Sequence, residues 1–184
     1  ILNTILSRCQ LVKVPALEDA DVVAGLIEKT SVKAEEAATL AYLANGNFNE
    51  ALRLSEHRDN DHSALFLDWM RRCYKGDGTE MLDWVERFAK LGREGQKFFV
   101  QYALHFLREF IALKVNGAGA VRLQATELET ARRLSAVLSF GQVEQIVNLL
   151  TENAYFIERN ANPKILFLDA CIQANRMMKT KKEI

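Results

Sequence analysis

Arg8 is the residue of the chain whose chemistry is easiest to assign. It lies in a short polar break, Ser7-Arg8-Cys9-Gln10, between the apolar pairs Ile5-Leu6 and Leu11-Val12, and we expect its guanidinium to reach a surface. A planar, permanently charged donor can stabilise the charge that develops on phosphoryl oxygens during transfer from ATP. A solvated surface arginine in a weak ion pair is the simpler alternative. Arg8 is therefore a candidate arginine finger.

No other group of residues has the spacing of a familiar reaction centre. The sequence offers no carboxylate pair for acid–base work, no nucleophile beside a base and no glycine-rich phosphate loop. The three histidines and three cysteines are scattered, without the short spacings of metal ligands. We predict no metal site, reduced cysteines and a cytoplasmic location.

Composition is that of an ordered globular protein. Apolar residues make up 49% of the 184 residues, enough for a hydrophobic core. Lys plus Arg and Asp plus Glu number 24 each, so no global positive charge attracts the chain to nucleic acid or an anionic membrane. No apolar run is long enough to span a bilayer. The chain begins with Ile rather than Met, and we expect it to be part of a longer protein.

Apolar periodicity predicts three short helices before residue 57. They cover residues 18–29, 32–44 and 48–56, after an extended segment that ends at Pro15. Thr30-Ser31 is the predicted N-cap of the second helix. Gly46 suits the left-handed end of that helix, and Asn47 suits the N-cap of the third.

A polar hinge, residues 57–62, precedes a second helical region. Apolar stripes predict helices over residues 63–74, 81–91, 96–115, 126–138, 143–159 and 163–178, with flexibility at 116–120 and a break at Gly141. No stretch alternates as a strand does. The predicted fold class is all-α, with a small three-helix bundle followed by a bundle of five or six helices.

Three motifs resemble those of clamp-loader subunits of the AAA+ family. Ser7-Arg8-Cys9, preceded by Thr-Ile-Leu and followed by Gln, resembles the family's Ser-Arg-Cys motif, whose arginine acts across a subunit boundary. Gly46-Asn47-Phe48-Asn49-Glu50-Ala51-Leu52 is similar, in frame, to the start of the third helix of the family's lid. Asn160-Ala161-Asn162-Pro163-Lys164 resembles the turn before the last collar helix.

Asn49 departs from the family pattern, which has a sensor arginine at this position. That arginine contacts the phosphates of the subunit's own nucleotide, and asparagine has no charge to offer them. Arg53, one turn further on, could substitute or could simply support Glu50. An arginine in Ser-Arg-Cys together with a missing lid arginine resembles the delta-prime subunits of bacterial DNA polymerase III, which donate a finger without hydrolysing ATP.

The resemblance implies three parts: the end of a nucleotide-binding domain (1–10), a three-helix lid (11–60) and a helical collar (61–184). It implies assembly through the collar and an Arg8 that acts in trans, within the Ser7-Arg8-Cys9 motif, while the sliding clamp is loaded on DNA. The implied partners are the ATPase and clamp-opening subunits and, indirectly, the clamp and primer-template DNA. No cofactor is expected in this chain, because the ATP belongs to the neighbour, and no membrane contact is expected.

Two other interpretations stay open. The chain could belong to a gamma/tau-type ATPase subunit of the loader or to another AAA+ ATPase, which an upstream Gly-Lys-Thr/Ser phosphate loop would favour. It could also be an unrelated helical scaffold in which Ser7-Arg8-Cys9 is accidental. The C-terminal lysines, Lys179, Lys181 and Lys182, could contact a DNA backbone or form a solvated end.

Overall fold

The computed structural model describes residues 10, 12–56, 62–117, 121, 123 and 125–180. Every regular element in these residues is a helix, so the all-α prediction is confirmed. The contacts divide the chain into two units, one before and one after the Ser55–Glu56 bond. Residues 57–61 of the predicted hinge lie outside the described residues.

The first unit contains the helices α1 (Asp19–Lys29), α2 (Ala34–Ala44) and α3 (Phe48–Glu56). α1 and α2 pack directly against each other. The buried hydrophobic residues of the unit are small or medium aliphatics: Val22, Leu26, Val32, Ala37, Leu40, Ala41, Ala44, Ala51 and Leu54. Alanine has no side chain beyond Cβ, so these faces allow the helices to approach closely.

The N-cap predicted at Thr30-Ser31 is wrong. α2 begins after Lys33, which makes no side-chain capping bond. The Thr30 hydroxyl instead donates to the Leu26 carbonyl at 2.6 Å, and the Thr30 amide donates to the same oxygen at 2.9 Å. Thr30 therefore donates hydrogen bonds to a carbonyl oxygen in the last turn of α1 and does not cap the first turn of α2.

The second unit contains six helices in its described residues: α4 (His62–Lys75), α5 (Gly78–Ala89), α6 (Gly92–Asn116), α7 (Ala125–Val137), α8 (Phe140–Glu158) and α9 (Pro163–Lys179). α9 packs against α4, α5 and α8, and α6 packs against α4, α5, α7 and α8. α6 and α9 are therefore the helices around which the others are arranged.

An aromatic cluster fills the centre of the second unit. Trp84 stacks on Phe88 with ring centroids 5.1 Å apart, and Phe88 lies 3.8 Å from Phe167 of α9. The Trp69 indole of α4 donates to Cys171 Sγ at 3.3 Å. All these rings are fully buried, so they join α4, α5 and α9 in one core.

The buried face of α5 differs from the predicted face. The apolar spacing in the sequence predicts a face of Leu82, Val85, Phe88 and Ala89, but Leu82 is half exposed, whereas Met81 and Trp84 are buried. The helix also begins earlier than predicted, at Gly78, because the Asp77 carboxylate accepts hydrogen bonds from the Thr79 and Glu80 amides at 2.9 and 3.1 Å. The large Trp84 ring lies in the core, and Met81 and Trp84 join Val85 and Phe88 on the buried face of the helix.

Gly141 does not interrupt the helical structure as predicted, because it lies in the first turn of α8. The helix is started by a capping box: Ser139 Oγ accepts from the Gln142 amide at 3.3 Å, and Gln142 Oε1 accepts from the Ser139 amide at 2.8 Å. Gln142 Nε2 also donates to the carbonyls of Met177, Met178 and Thr180 at 3.0–3.2 Å. This buried side chain ties the start of α8 to the end of α9.

Candidate functional site

Ser7, Arg8 and Cys9 lie outside the described residues, so the arginine finger stays a prediction. Asn49, the other candidate residue, lies in the first turn of α3. The turn that leads into α3 is fully described, and it positions Asn49.

Two consecutive residues of left-handed conformation end α2. Asn45 has φ 47° and ψ 50°, and Gly46 has φ 76°. Asn47 then caps α3, because its side-chain oxygen accepts from the Glu50 amide at 3.2 Å. The predicted roles of Gly46 and Asn47 are confirmed, and this short turn fixes the first residues of α3.

Gly46 also lies against the extended segment that precedes α1. Its carbonyl accepts from the Leu17 amide at 3.0 Å. A Cβ atom at Gly46 would lie 2.6 Å from both the Ala16 Cβ and the Leu17 carbonyl oxygen, which is a clash. The position therefore needs glycine for its positive φ and for the close approach of the backbone.

Phe48 fixes the direction of α3 relative to α1. Its ring lies so close to the backbone of α1 that a Cβ atom at Gly25 would be 2.6 Å from it. Lys29 Nζ lies 5.1 Å from the centroid of the same ring. The Phe48 contact leaves the next residue, Asn49, on the exposed side of the helix.

Asn49 is exposed and makes no side-chain hydrogen bond within the described part of the chain. Its amide can donate to or accept from a ligand, but it carries no charge for a phosphate. Arg53, one turn on, has a side chain that is 66% exposed, with Nη1 4.0 Å from Glu50 Oε2. A guanidinium this exposed gains little free energy from such a pair, so Arg53 has the properties of a surface charge.

Two of the three cysteines are described, and both are buried free thiols. Cys73 and Cys171 both belong to the core of the second unit. Burial raises the pKa of the Cys73 thiol well above its usual range. A thiol that stays protonated is a poor nucleophile, so Cys73 has the properties of a packing residue.

The described ranges contain no group of three or more His, Cys, Asp and Glu side chains that could hold a metal ion. Among the same residues, no helix combines the length and the apolar character that crossing a bilayer requires.

Several large apolar side chains of α8 and α9 face solvent. Tyr155 and Phe156 are 51% and 38% exposed, and the Arg159 guanidinium lies 3.3 Å from the centroid of the Tyr155 ring. Ile165 and Ile172, which are seven residues apart on α9, are 70% and 41% exposed. Such side chains are candidates for contact with another protein.

Arg71 and Arg133 were not singled out in the sequence, yet both line a groove in the second unit. We call it the Arg71–Arg133 groove; it has a volume of about 350 Å³ and is lined by Leu67, Met70, Arg71, Tyr74, Thr130, Arg133, Leu134, Val137, Leu138 and Met178. A signal was present, since Leu67, Arg71 and Tyr74 follow one another at one-turn spacing beside the buried stripe of α4. What the sequence lacks is the information that α4 and α7 lie on either side of one groove.

No protein-family model matches the sequence, and no curated protein matches it significantly. The motifs and the geometry of the chain itself are therefore the basis for assigning a function.

Proposed function

We propose that this chain is the lid and collar part of a non-ATPase clamp-loader subunit of the delta-prime type in bacterial DNA polymerase III. In this proposal the three helices of the first unit are the lid, and the six helices of the second unit belong to the collar that holds the loader's subunits together. Arg8 is offered in trans to ATP bound by a neighbouring subunit, and this chain itself hydrolyses nothing.

The observation that carries the proposal is the combination of Gly46 and Asn49. Gly46 meets a strict backbone requirement, which supports the importance of the glycine in the lid motif that this segment resembles. Asn49 is exposed at the position where the motif has its arginine, and it has no positive charge for a phosphate. A lid with this glycine but without the sensor arginine suits a subunit that assembles into the loader and does not hydrolyse ATP of its own.

The exposed apolar residues of α8 and α9 support the assembly role. Ile165 and Ile172 lie on one side of α9, and Tyr155 and Phe156 are exposed on α8. A helical bundle that leaves such side chains in water gains free energy when another subunit covers them. In a ring of subunits each collar domain has neighbours on its sides.

Assembly is testable by co-purifying the chain with separately produced ATPase and clamp-opening subunits of a loader, followed by size-exclusion chromatography with light scattering. Co-elution in a defined complex is expected. Ile172→Glu should weaken co-elution, whereas Ile27→Glu, a matched exposed isoleucine of the first unit at 46% exposure, should not. A wild-type chain that elutes alone would contradict the collar role and favour an unrelated helical scaffold.

The sequence upstream of residue 1 separates the proposal from a gamma/tau-type ATPase subunit. An intact Gly-Lys-Thr/Ser phosphate loop with its acidic partner would identify an ATPase, because these groups hold the nucleotide phosphates and Mg²⁺. A degenerate loop would agree with the uncharged Asn49 and with the non-hydrolysing role.

A further inference from the structure

The Arg71–Arg133 groove lies between two helices that make little direct contact. Leu67 and Arg71 of α4 form one wall, and Leu134 and Arg133 of α7 form the other. The groove reaches down to the buried side chains Met70, Leu138 and Met178, which are 4%, 2% and 6% exposed. Tyr74 and Val137 remain 54% and 43% exposed at its edge. The groove is thus an apolar channel open to solvent, with a floor that belongs to the core.

Among the described residues, the charged side chains that line the groove are positive. These are Arg71 and Arg133, and no carboxylate of the described ranges lines the groove. Arg71 is exposed and makes no ion pair within the described part of the chain, whereas Arg133 pairs with the exposed Glu129 on its own helix. An exposed pair of this kind is weak, so the Arg133 guanidinium can exchange Glu129 for another carboxylate.

A second pair of arginines, Arg72 of α4 and Arg87 of α5, lies near Arg71 without lining the groove. Arg72 and Arg87 share the single carboxylate of Asp68, with donor–acceptor distances of 2.9 and 2.6 Å. Two guanidinium groups on one carboxylate leave a net positive charge beside Arg71. Because the whole chain has equal numbers of acidic and basic residues, this positive charge is a local feature of the surface beside Arg71.

We propose that the Arg71–Arg133 groove binds an amphipathic helical segment of a partner protein, with apolar side chains in the groove and acidic residues on its flanks. The apolar floor would take side chains at i, i+3 or i+4 and i+7, the spacing at which a helix presents one face. Carboxylates at flanking positions would pair with Arg71 and Arg133. This inference does not depend on the proposed function.

The side chains of the groove favour a helix over other occupants. Met70 and Met178 are unbranched and adapt to the shape of whatever is inserted between them. Both walls are helices with lining residues one turn apart, Leu67 and Arg71 on α4 and Thr130 and Leu134 on α7. A third helix laid between two others packs its ridges into grooves of this kind.

The test uses the whole chain and a library of helical peptides of about 16 residues, the length at which an isolated helix begins to form. Leucines are fixed at i, i+3 and i+7, and the flanking positions are randomised among Glu, Gln and Lys. We expect the immobilised protein to retain peptides with Glu over Lys at the flanks. The double variant Arg71→Glu/Arg133→Glu should reverse this preference and bind the peptides selected on wild type about tenfold more weakly.

Arg132→Glu is the matched control, because Arg132 is exposed on α7 next to Arg133 but does not line the groove. This variant should keep the wild-type preference. Retention without a charge preference, or a preference that the double variant does not reverse, would overturn the proposal. Two other results would also overturn the proposal. Binding of decanoate without retention of any peptide would indicate a pocket for small molecules. A dimer of the wild-type chain that Leu134→Glu converts to a monomer would indicate that a second copy of the chain occupies the groove.

Discussion

Phe88 of α5 and Phe167 of α9 pack with their ring centroids 3.8 Å apart, and neither ring is exposed to solvent. Trp84 and Phe99 surround the same pair at centroid distances of 5.1–5.9 Å. This contact brings together parts of the chain that are far apart in sequence. The stability of the second unit should therefore depend on it more than on any exposed residue of α9.

Phe167→Ala should lower the free energy of unfolding of the second unit by about 3–5 kcal/mol, because it removes a buried ring and leaves a cavity among aromatic neighbours. Both tryptophans of the sequence, Trp69 and Trp84, lie in this unit, so their fluorescence during denaturant titration reports its unfolding. Ile165→Ala is the control, because Ile165 is 70% exposed, and it should change the free energy by less than about 0.5 kcal/mol.

Gly46→Ala should destabilise the first unit by about 1–3 kcal/mol or more. The substitution adds a Cβ atom 2.6 Å from Ala16 and Leu17 at a residue with φ 76°. Amide hydrogen exchange in α1, α2 and α3 should accelerate, while exchange in α4 to α9 should not change. Asn49→Ala, at an exposed position of the neighbouring helix, should leave all rates close to wild type. Unchanged exchange in the Gly46 variant would contradict the described turn.

Asp68→Asn should lower stability at neutral pH by about 1 kcal/mol, because Asp68 accepts from both Arg72 and Arg87. Burial opposes ionisation of this carboxyl, but the two arginines outweigh it and lower its pKa below the ordinary value of 3.8. A lowered folded pKa adds stability above the unfolded pKa, and this is lost as the pH falls through the folded pKa.

The stability difference between wild type and Asp68→Asn should therefore be constant near neutral pH and shrink below about pH 4. Urea titrations at several pH values measure it. Asp83→Asn is the control, because Asp83 is exposed on α5 and makes no ion pair in the described ranges. A difference that grows as the pH falls would contradict the lowered pKa of Asp68.

Helices and their caps were predictable where the signal is local. The spacing of Phe99, Tyr102, Phe106 and Phe110 in the sequence predicts one apolar face of α6, and all four side chains are buried. Asn47 and Gly46 were assigned correctly because a cap and a left-handed residue depend on neighbours in sequence. Pro163 likewise lies in the first turn of α9.

Features that depend on distant partners were not predictable. Leu82 is apolar like Met81 and Trp84, and the packing of α9 against α5 decides that Met81 and Trp84 lie on the core side. Gln142 looks like a surface residue until the end of α9 supplies three carbonyls for its amide. The Arg71–Arg133 groove needs two helices that approach without touching, a relationship that periodicity does not encode.

The most direct test of the proposed function is ATP hydrolysis by a reconstituted clamp loader that contains the full-length subunit with Arg8→Ala. Clamp- and DNA-stimulated hydrolysis should fall to the rate that the other ATP sites support, because one site loses a charge that stabilises its transition state. The complex itself should remain intact by size-exclusion chromatography. A loader with Arg8→Lys should also hydrolyse ATP more slowly than wild type, because lysine lacks the planar donor group. A loader with Arg53→Ala should hydrolyse ATP at the wild-type rate. Undiminished hydrolysis by an intact Arg8→Ala complex would contradict the finger role.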